Sequence, residues 1–476
     1  MSPVYAHPVR GSAPSSAAFL AVLALTIFLI TVIWLRLPYV NGPTYWQWPW
    51  LSGNIWRTLG FLCWPLACFL PAWLLLARWD SRWTSWRTFT LLTMLALAQF
   101  GFQIAAMFGD YRGLDMISHI VTSADATSYY SDACAIGEDL RSWLSHFHLV
   151  RFAEMAPHTQ TKPAGPVIFY WAFVRLFGPD VGGVVAGYFV GALTSLGVFV
   201  VWLFAWLWTR DPRRRVWCAA LYAMLPGLAL WLPEFDQWYP IATMLMGLTW
   251  MRALREHREA GAWGGTRYAL WLGVVLFAFT LMTYVILTMG AWMSLVAFYH
   301  LLTAHRHSQA LGRITAVIAV GLATWFGLHV LFAWTTGYHP ILSFLRALDN
   351  EQYFLIFVKR PGGWYVLFDM WDFAISSGMA PLGLAAWELY WGWRGLRESS
   401  MNFWLTGMSW ATLGIIGFVG LMPGEAARVW LFLQPLLIVP AGLTLSRLGL
   451  NRQALLIGAM WLSIAVIKSR MLFIAA

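Results

Sequence analysis

Apolar residues in this chain come in continuous runs of about 20, broken by short polar stretches that hold most of its Lys and Arg. A helix of that length crosses the roughly 30 Å hydrocarbon layer of a bilayer. The ten-residue alternation of a membrane β-barrel is missing, so the pattern predicts an all-α polytopic membrane protein. Thirteen spanning helices are expected, near 17–37, 56–77, 88–108, 182–208, 216–233, 238–253, 268–285, 287–303, 314–335, 373–393, 403–421, 427–446 and 453–473. The first is too long and too apolar for a cleaved signal and has no small-residue cleavage pattern behind it. With this count Arg78/Arg82/Arg87, Arg210/Arg213/Arg214/Arg215, Arg252/Arg255/Arg258/Arg267, Arg306/Arg313, Arg394/Arg397 and Arg447/Arg452 all fall on one side, which must be cytoplasmic. The run 166–178, PVIFYWAFVRLFG, is too short to cross, and counting it as a crossing would put Arg213–Arg215 outside. A half-helix or interfacial segment is expected there.

The opposite, exoplasmic face then receives two long loops, 109–165 and 336–372, and short turns at 234–240 and 422–426. YWQWPW at 45–50 sits in the first outer loop and reads as an interfacial aromatic belt. A single integral membrane domain over 1–476 is expected, with an N-terminal helix pair in 1–87 and the two long loops as its main outer features. Composition agrees: 60% of residues are hydrophobic and 11% charged. A net charge of +10 invites a nucleic-acid reading, but the basic residues lie between apolar runs, so positive-inside topology accounts for it and no nucleic-acid partner is expected. The four cysteines offer neither a disulfide framework nor a CxxC metal site.

Against this background loop 109–165 is anomalous. It carries Asp110, Asp115, Asp125, Asp132, Glu138, Asp139 and Glu154, seven of the chain's 21 acidic residues. Some are explained locally: Asp125 before ATSYYSDA is a good N-cap, and Glu138 and Asp139 favour the start of LRSWLSHF. Leu140, Trp143, Leu144 and Phe147 recur at helical spacing, as in a helix lying on a membrane surface. A carboxylate held at the membrane edge can deprotonate a hydroxyl, or bind a divalent cation that holds a phosphate. Spacing alone does not choose between Asp110, Asp115 and Asp125 for that role.

Further polar groups are expected on the same side. In HTQTKPAGPVIFYW, 158–171, His158 and Lys162 supply a donor and a positive charge ahead of a rigid Pro-Gly turn. PEFDQWYP, 233–240, places Glu234 and Asp236 in a turn, and MPGEAARVW, 422–430, sets Glu425 three residues before Arg428. A cation that close to hydrocarbon needs a carboxylate or a phosphate as its partner. The second long loop is basic where the first is acidic, with His339, Arg346, Lys359 and Arg360.

DATSYYSDA in the first outer loop, HTQTKPAGPV re-entering the membrane and GEAARVWLFL opening a late helix resemble the motifs of the GT-C polytopic glycosyltransferases, which include protein O-mannosyltransferases and aminoarabinose transferases. The family's second Pro is Ala164 here, and the Glu that often follows the loop Asp is Ala126. The resemblance implies a GT-C-like fold, a structured first exoplasmic loop bearing interfacial helices, and inverting transfer of a sugar from a polyprenyl-phosphate-linked donor to a lipid, glycan or protein hydroxyl. Loop 109–165 would be the catalytic loop, on the periplasmic side of a bacterial inner membrane. Carried over residue by residue, it makes Asp125 the catalytic base, puts His158, Lys162 and Arg428 at the donor phosphate, and gives Asp110, Asp236 and Glu425 supporting or metal-binding roles. Both a divalent cation (Mg, Mn or Zn) and metal-independence are compatible with it. An isoprenoid tail also calls for a lateral groove between helices. The competing readings are an O-antigen ligase or polysaccharide polymerase, and a transporter or flippase; the second is disfavoured because the expected helix centres are nearly free of charge.

Overall fold

The computed structural model describes residues 14–474 apart from 43–46, 79–83, 124–125, 127–128, 151–154, 260, 358–364, 395–400, 421–424 and 473. Of the residues singled out above, Arg82, Asp125, Glu154, Lys359, Arg360 and Arg397 lie outside the described part, as does half of the aromatic belt. Helices carry nearly everything else, and the one β-type pairing among described residues is an isolated bridge between Trp50 and Met471.

Seven described helices are long and apolar enough to cross a membrane: Ser16–Trp34, Ser85–Phe108, Gly182–Leu207, Val285–Leu302, His307–Thr336, Ala426–Leu445 and Leu450–Arg470. An eighth is formed if Ile55–Leu62 and Leu66–Ala77, bent by 54°, are one span. The other expected spans coincide with helices that are shorter, interrupted or less apolar, such as Pro212–Ala223, Tyr239–Glu259, Gly261–Thr280, Met379–Arg394 and Met401–Val419. The chain is thus an all-α integral membrane protein. The segment expected as a half-helix is the 13-residue helix Gly165–Phe177, about 20 Å long and too short to cross.

The Ala426–Leu445 segment lies at the centre, with 94% of its apolar stretch enclosed by protein. Pro212–Ala223, Met379–Arg394 and Met401–Val419 pack around it, and Leu450–Arg470 packs on Ser16–Trp34. At one end Arg447 pairs with the buried Glu388 at 2.5 Å, and Thr444 donates to the same carboxylate at 2.9 Å.

The site is seated on Gly182–Phe204. Gly183, Gly187 and Gly191 recur every four residues and so make a smooth stripe along one face. A Cβ at Gly183 would come within 2.9 Å of Tyr130, at Gly187 within 2.7 Å of Ile117, and at Gly191 within 2.9 Å of Leu232. Ile117 and Tyr130 belong to the short helices Asp115–Thr122 and Tyr129–Ile136, and Leu232 to the turn that bears Glu234. The stripe therefore lets the acidic segment and that turn settle on one helix.

In the acidic segment Asp139 caps the Leu140–His146 helix as expected, accepting from the Ser142 amide at 2.9 Å. Leu144 and Phe147 are fully buried against Ala164 and Tyr338. That part of the apolar stripe is spent inside the protein rather than on a membrane surface.

Candidate functional site: a buried charge cluster around Arg428

Charged side chains from three stretches of sequence meet beside the Glu234 turn. The Arg428 guanidinium lies 2.9 Å from Glu425, 3.4 Å from Asp236 and 3.7 Å from Glu234. None of the four side chains is more than 13% exposed. Lys162 is buried nearby and acts electrostatically on Glu234 and Asp236. Tyr129 closes the group, its ring 6.2 Å from that of His158 and edge-on to Phe235 at 5.7 Å. Asp132 ties the Tyr129 helix to the His158 turn, accepting from the Ala156 amide at 3.4 Å.

Three carboxylates against two cations leave one negative charge in excess. Burial pushes Glu234 up to about 8, against the opposing pull of Arg428. Burial also raises Asp236, again against Arg428 and Lys162. Near neutral pH Glu234 therefore holds a proton and the cluster is balanced. Burial, reinforced by Asp236 and Glu234, raises Tyr129 too, so its phenol stays a neutral donor. Because the folded protein binds the Glu234 proton more tightly than the unfolded chain does, this group's contribution to stability is fully present below about 4.5 and is lost as pH rises toward 8, at about 1.4 kcal/mol per pH unit. Glu234→Gln, which imitates the protonated acid, is expected to flatten the pH dependence of the thermal midpoint between pH 5 and 8; an unchanged slope would contradict this assignment.

The structure thus brings together His158, Lys162, Asp236, Glu425 and Arg428. Asp110 instead pairs with Lys468 of the last helix at 3.6 Å, both side chains nearly enclosed. Asp115 is exposed, and Asp125 lies outside the described residues. Among the described residues no group of three His, Cys, Asp or Glu side chains is arranged to hold a metal ion. The three clustered carboxylates are turned on a guanidinium, so they fit an Arg-centred charge cluster rather than a divalent cation.

Two supporting residues had no legible role in the sequence. Arg346, in the Pro340–Phe357 helix, donates to the backbone carbonyls of Phe147 at 2.6 Å and of Thr159 and Lys162 at 3.4 Å, while stacking on the Phe147 ring at 4.1 Å. One turn on, Asn350 donates to the Gln160 carbonyl at 2.9 Å. Together they hold the 158–162 segment from behind and leave the Lys162 side chain to face the carboxylates. Their spacing of four marks a shared helix face, but nothing local says what that face meets. Arg346→Met should strand these carbonyls at roughly 1–3 kcal/mol each. The expected result is a lowered thermal midpoint with faster proteolysis within 157–163, Arg346→Lys falling between; a variant as stable and resistant as the native protein would refute the bracing role.

A lateral groove is also present. An apolar cavity of about 750 Å³ opens between residues 280–287, 325–333 and 338–344. It approaches the Lys162 turn through Leu281, whose carbonyl accepts from the Gly165 amide at 2.9 Å. A Cβ at Gly165 would sit 2.1 Å from that oxygen, so only glycine permits the approach.

No family model matches the sequence, and no curated protein matches it either. Solved structures do. The Archaeoglobus fulgidus oligosaccharyltransferase tethered by a disulfide to an acceptor peptide containing the NVT sequon aligns over 82% of this chain and 56% of its own, with a TM-score of 0.55 and 14% identity. The apo form of the same enzyme aligns over 83% and 57%, with a TM-score of 0.55 and 13% identity. The chain therefore shares the fold of that archaeal membrane oligosaccharyltransferase. The chain spans little more than half the length of those structures.

Proposed function

We propose that this chain is an inverting glycosyltransferase that moves a sugar from a polyprenyl-phosphate-linked donor to a hydroxyl of a lipid, glycan or protein. The observation that carries the reading is the buried Arg428 cluster, in which two cations face three carboxylates where the acidic segment, the re-entrant Gly165 helix and the Ala426–Leu445 segment converge. The GT-C fold supports the same class of chemistry. In this reading Asp125 accepts the acceptor's hydroxyl proton as that oxygen bonds to C1, and the bond from C1 to the phosphate oxygen breaks with its electron pair going to the phosphate. His158, Lys162 and Arg428 stabilise the charge that develops there, while Tyr129 offers a neutral donor. Inversion needs no second, nucleophilic carboxylate. Glu425 and Asp236 hold the guanidinium in place, and the proton on Glu234 keeps the empty site close to neutral.

In this reading the chain crosses the membrane thirteen times and the cluster lies at the exoplasmic rim, with 109–165 as the catalytic loop and 336–372 as the second outer loop, facing the periplasm of a bacterial inner membrane. Radiolabelled sugars on polyprenyl phosphate and on polyprenyl diphosphate, offered to the purified protein in lipid discs with and without chelator, test the reading. Transfer or slow hydrolysis of a monophosphate donor, with inversion at C1, is expected. Turnover of diphosphate-linked glycans alone would favour an O-antigen-ligase-type enzyme, and no turnover with any acceptor would sink the proposal.

A further inference from the structure

At the far end of the span that seats the charge cluster, arginines gather on two indoles. Trp202 and Trp206 stand one turn apart near the end of Gly182–Leu207, and Gly183, beside Tyr130, lies about 29 Å before Trp202 along the axis. Arg215, from Pro212–Ala223, stacks over Trp202 at 4.0 Å from the ring centroid. Arg252, from Tyr239–Glu259, stacks over Trp206 at 3.8 Å, and Arg210 lies 3.6 Å from the same centroid. Arg210 and Arg252 are therefore closer than about 8 Å, the screening length at physiological salt. Arg210 also acts electrostatically on Arg215, so the two indoles belong to one patch. Arg215 and Arg252 are partly exposed, and neither has a hydrogen-bond acceptor among the described residues. The carboxylate that Arg252 faces, Glu256, is 3.6 Å away, beyond bonding distance. Stretches 210–215 and 252–267 together hold eight Arg against three acidic residues, so the patch keeps a positive excess.

A guanidinium stacked on an indole spends its face on the ring and keeps its N–H edges for bonds in its own plane, the geometry that takes the paired oxygens of a phosphate. Arg is protonated at every physiological pH, so the sign of the ligand is fixed. Position fixes its source. Both indoles lie in a membrane span, and Tyr268 of the neighbouring Gly261–Thr280 helix lies 5.9 Å from Arg252. One turn deeper on these two helices, Leu203 is 44% exposed and Trp271 is 60% exposed. A dissolved anion gains nothing from such an apolar border, whereas a phospholipid needs one for its chains. We propose that this patch binds the headgroup of an anionic phospholipid, whose phosphate oxygens pair with the guanidiniums held on Trp202 and Trp206 while its acyl chains lie against Leu203 and Trp271. The inference rests on this patch alone and holds whether or not the chain transfers sugar.

The test is competition binding to the full-length protein in a neutral detergent, with tritiated phosphatidylglycerol displaced by phosphatidylglycerol, by phosphatidylcholine of the same chains, or by glycerol 3-phosphate. Phosphatidylcholine keeps the phosphodiester but cancels its charge, so it should bind roughly thirtyfold more weakly, the loss expected for two Arg contacts at a membrane surface. Glycerol 3-phosphate, a headgroup without chains, should not displace the lipid. Arg215→Gln and Arg252→Gln should each weaken phosphatidylglycerol by about fivefold and leave phosphatidylcholine unchanged. Arg452→Gln, which removes a charge from the last helix where it packs on Ser16–Trp34, should change neither. Equal binding of the two lipids by the native protein overturns the proposal. So does displacement by glycerol 3-phosphate as effective as that by the lipid, which would mark a soluble-anion site. A loss in Arg452→Gln as large as that in Arg252→Gln also overturns it, by showing diffuse attraction to net charge rather than a site. The comparison within the native protein keeps its meaning if a variant misfolds. Because no sugar transfer is read, failure here is distinguishable from failure of the glycosyltransferase reading.

Discussion

Replacing Arg428 with Met is expected to abolish sugar transfer and to destabilise the protein by about 3–5 kcal/mol, because removal of one partner of a buried ion pair leaves the others uncompensated. Here the loss strands Glu425, Asp236 and Glu234 together, at separations of 2.9, 3.4 and 3.7 Å from the missing guanidinium. Stability and chemistry can be separated. In the triple change Arg428→Met, Glu425→Gln, Asp236→Asn two of the three carboxylates are neutralised with the cation and Glu234 is left with Lys162, so the thermal midpoint should recover most of its loss. Transfer should not recover, since the cation proposed to stand opposite the departing phosphate is still absent. A triple variant that folds and turns over at the native rate would show that Arg428 does no more than neutralise its neighbours.

Asp125→Asn is expected to lower kcat by about 10²–10⁴-fold while leaving donor binding within twofold, the signature of a lost general base. Its neighbours serve as controls, and the structure assigns each a distinct outcome. Asp115 is exposed, so Asp115→Asn should leave both stability and rate near native values. Asp110→Asn breaks the pair with Lys468, 3.6 Å away and nearly enclosed, and should lower the thermal midpoint more than it lowers kcat. Should Asp110→Asn abolish turnover in a protein of native stability while Asp125→Asn stays active, the base is Asp110 and the proposed geometry fails.

The parts of the site that were legible in advance share a physical feature: each is written in a short stretch of chain. The Asp139 cap, the Pro-Gly turn after Lys162 and the Glu425–Arg428 spacing are all local, and all are found where expected. Glu234 and Asp236 were visible as acids in a turn, but not as partners of an arginine nearly 200 residues further on. Arg346 read as one more loop cation, since its three acceptors are backbone carbonyls that leave no side-chain signature. Leu144 and Phe147 had the right periodicity for a buried face, but periodicity cannot distinguish protein from lipid as the medium that buries it.

By itself the sequence determined that this is an all-α membrane protein, with its acids gathered in a few short segments between apolar runs, because helix length, hydropathy and charge bias act within 20 residues or so. Only the tertiary structure decided which of those charges meet. The choice was made by close approach along Gly183, Gly187 and Gly191 and by enclosure of the Ala426–Leu445 segment, which bring distant turns onto one cation. In a buried setting the cost of an unpaired charge then holds the chosen partners together, a condition that no local pattern encodes.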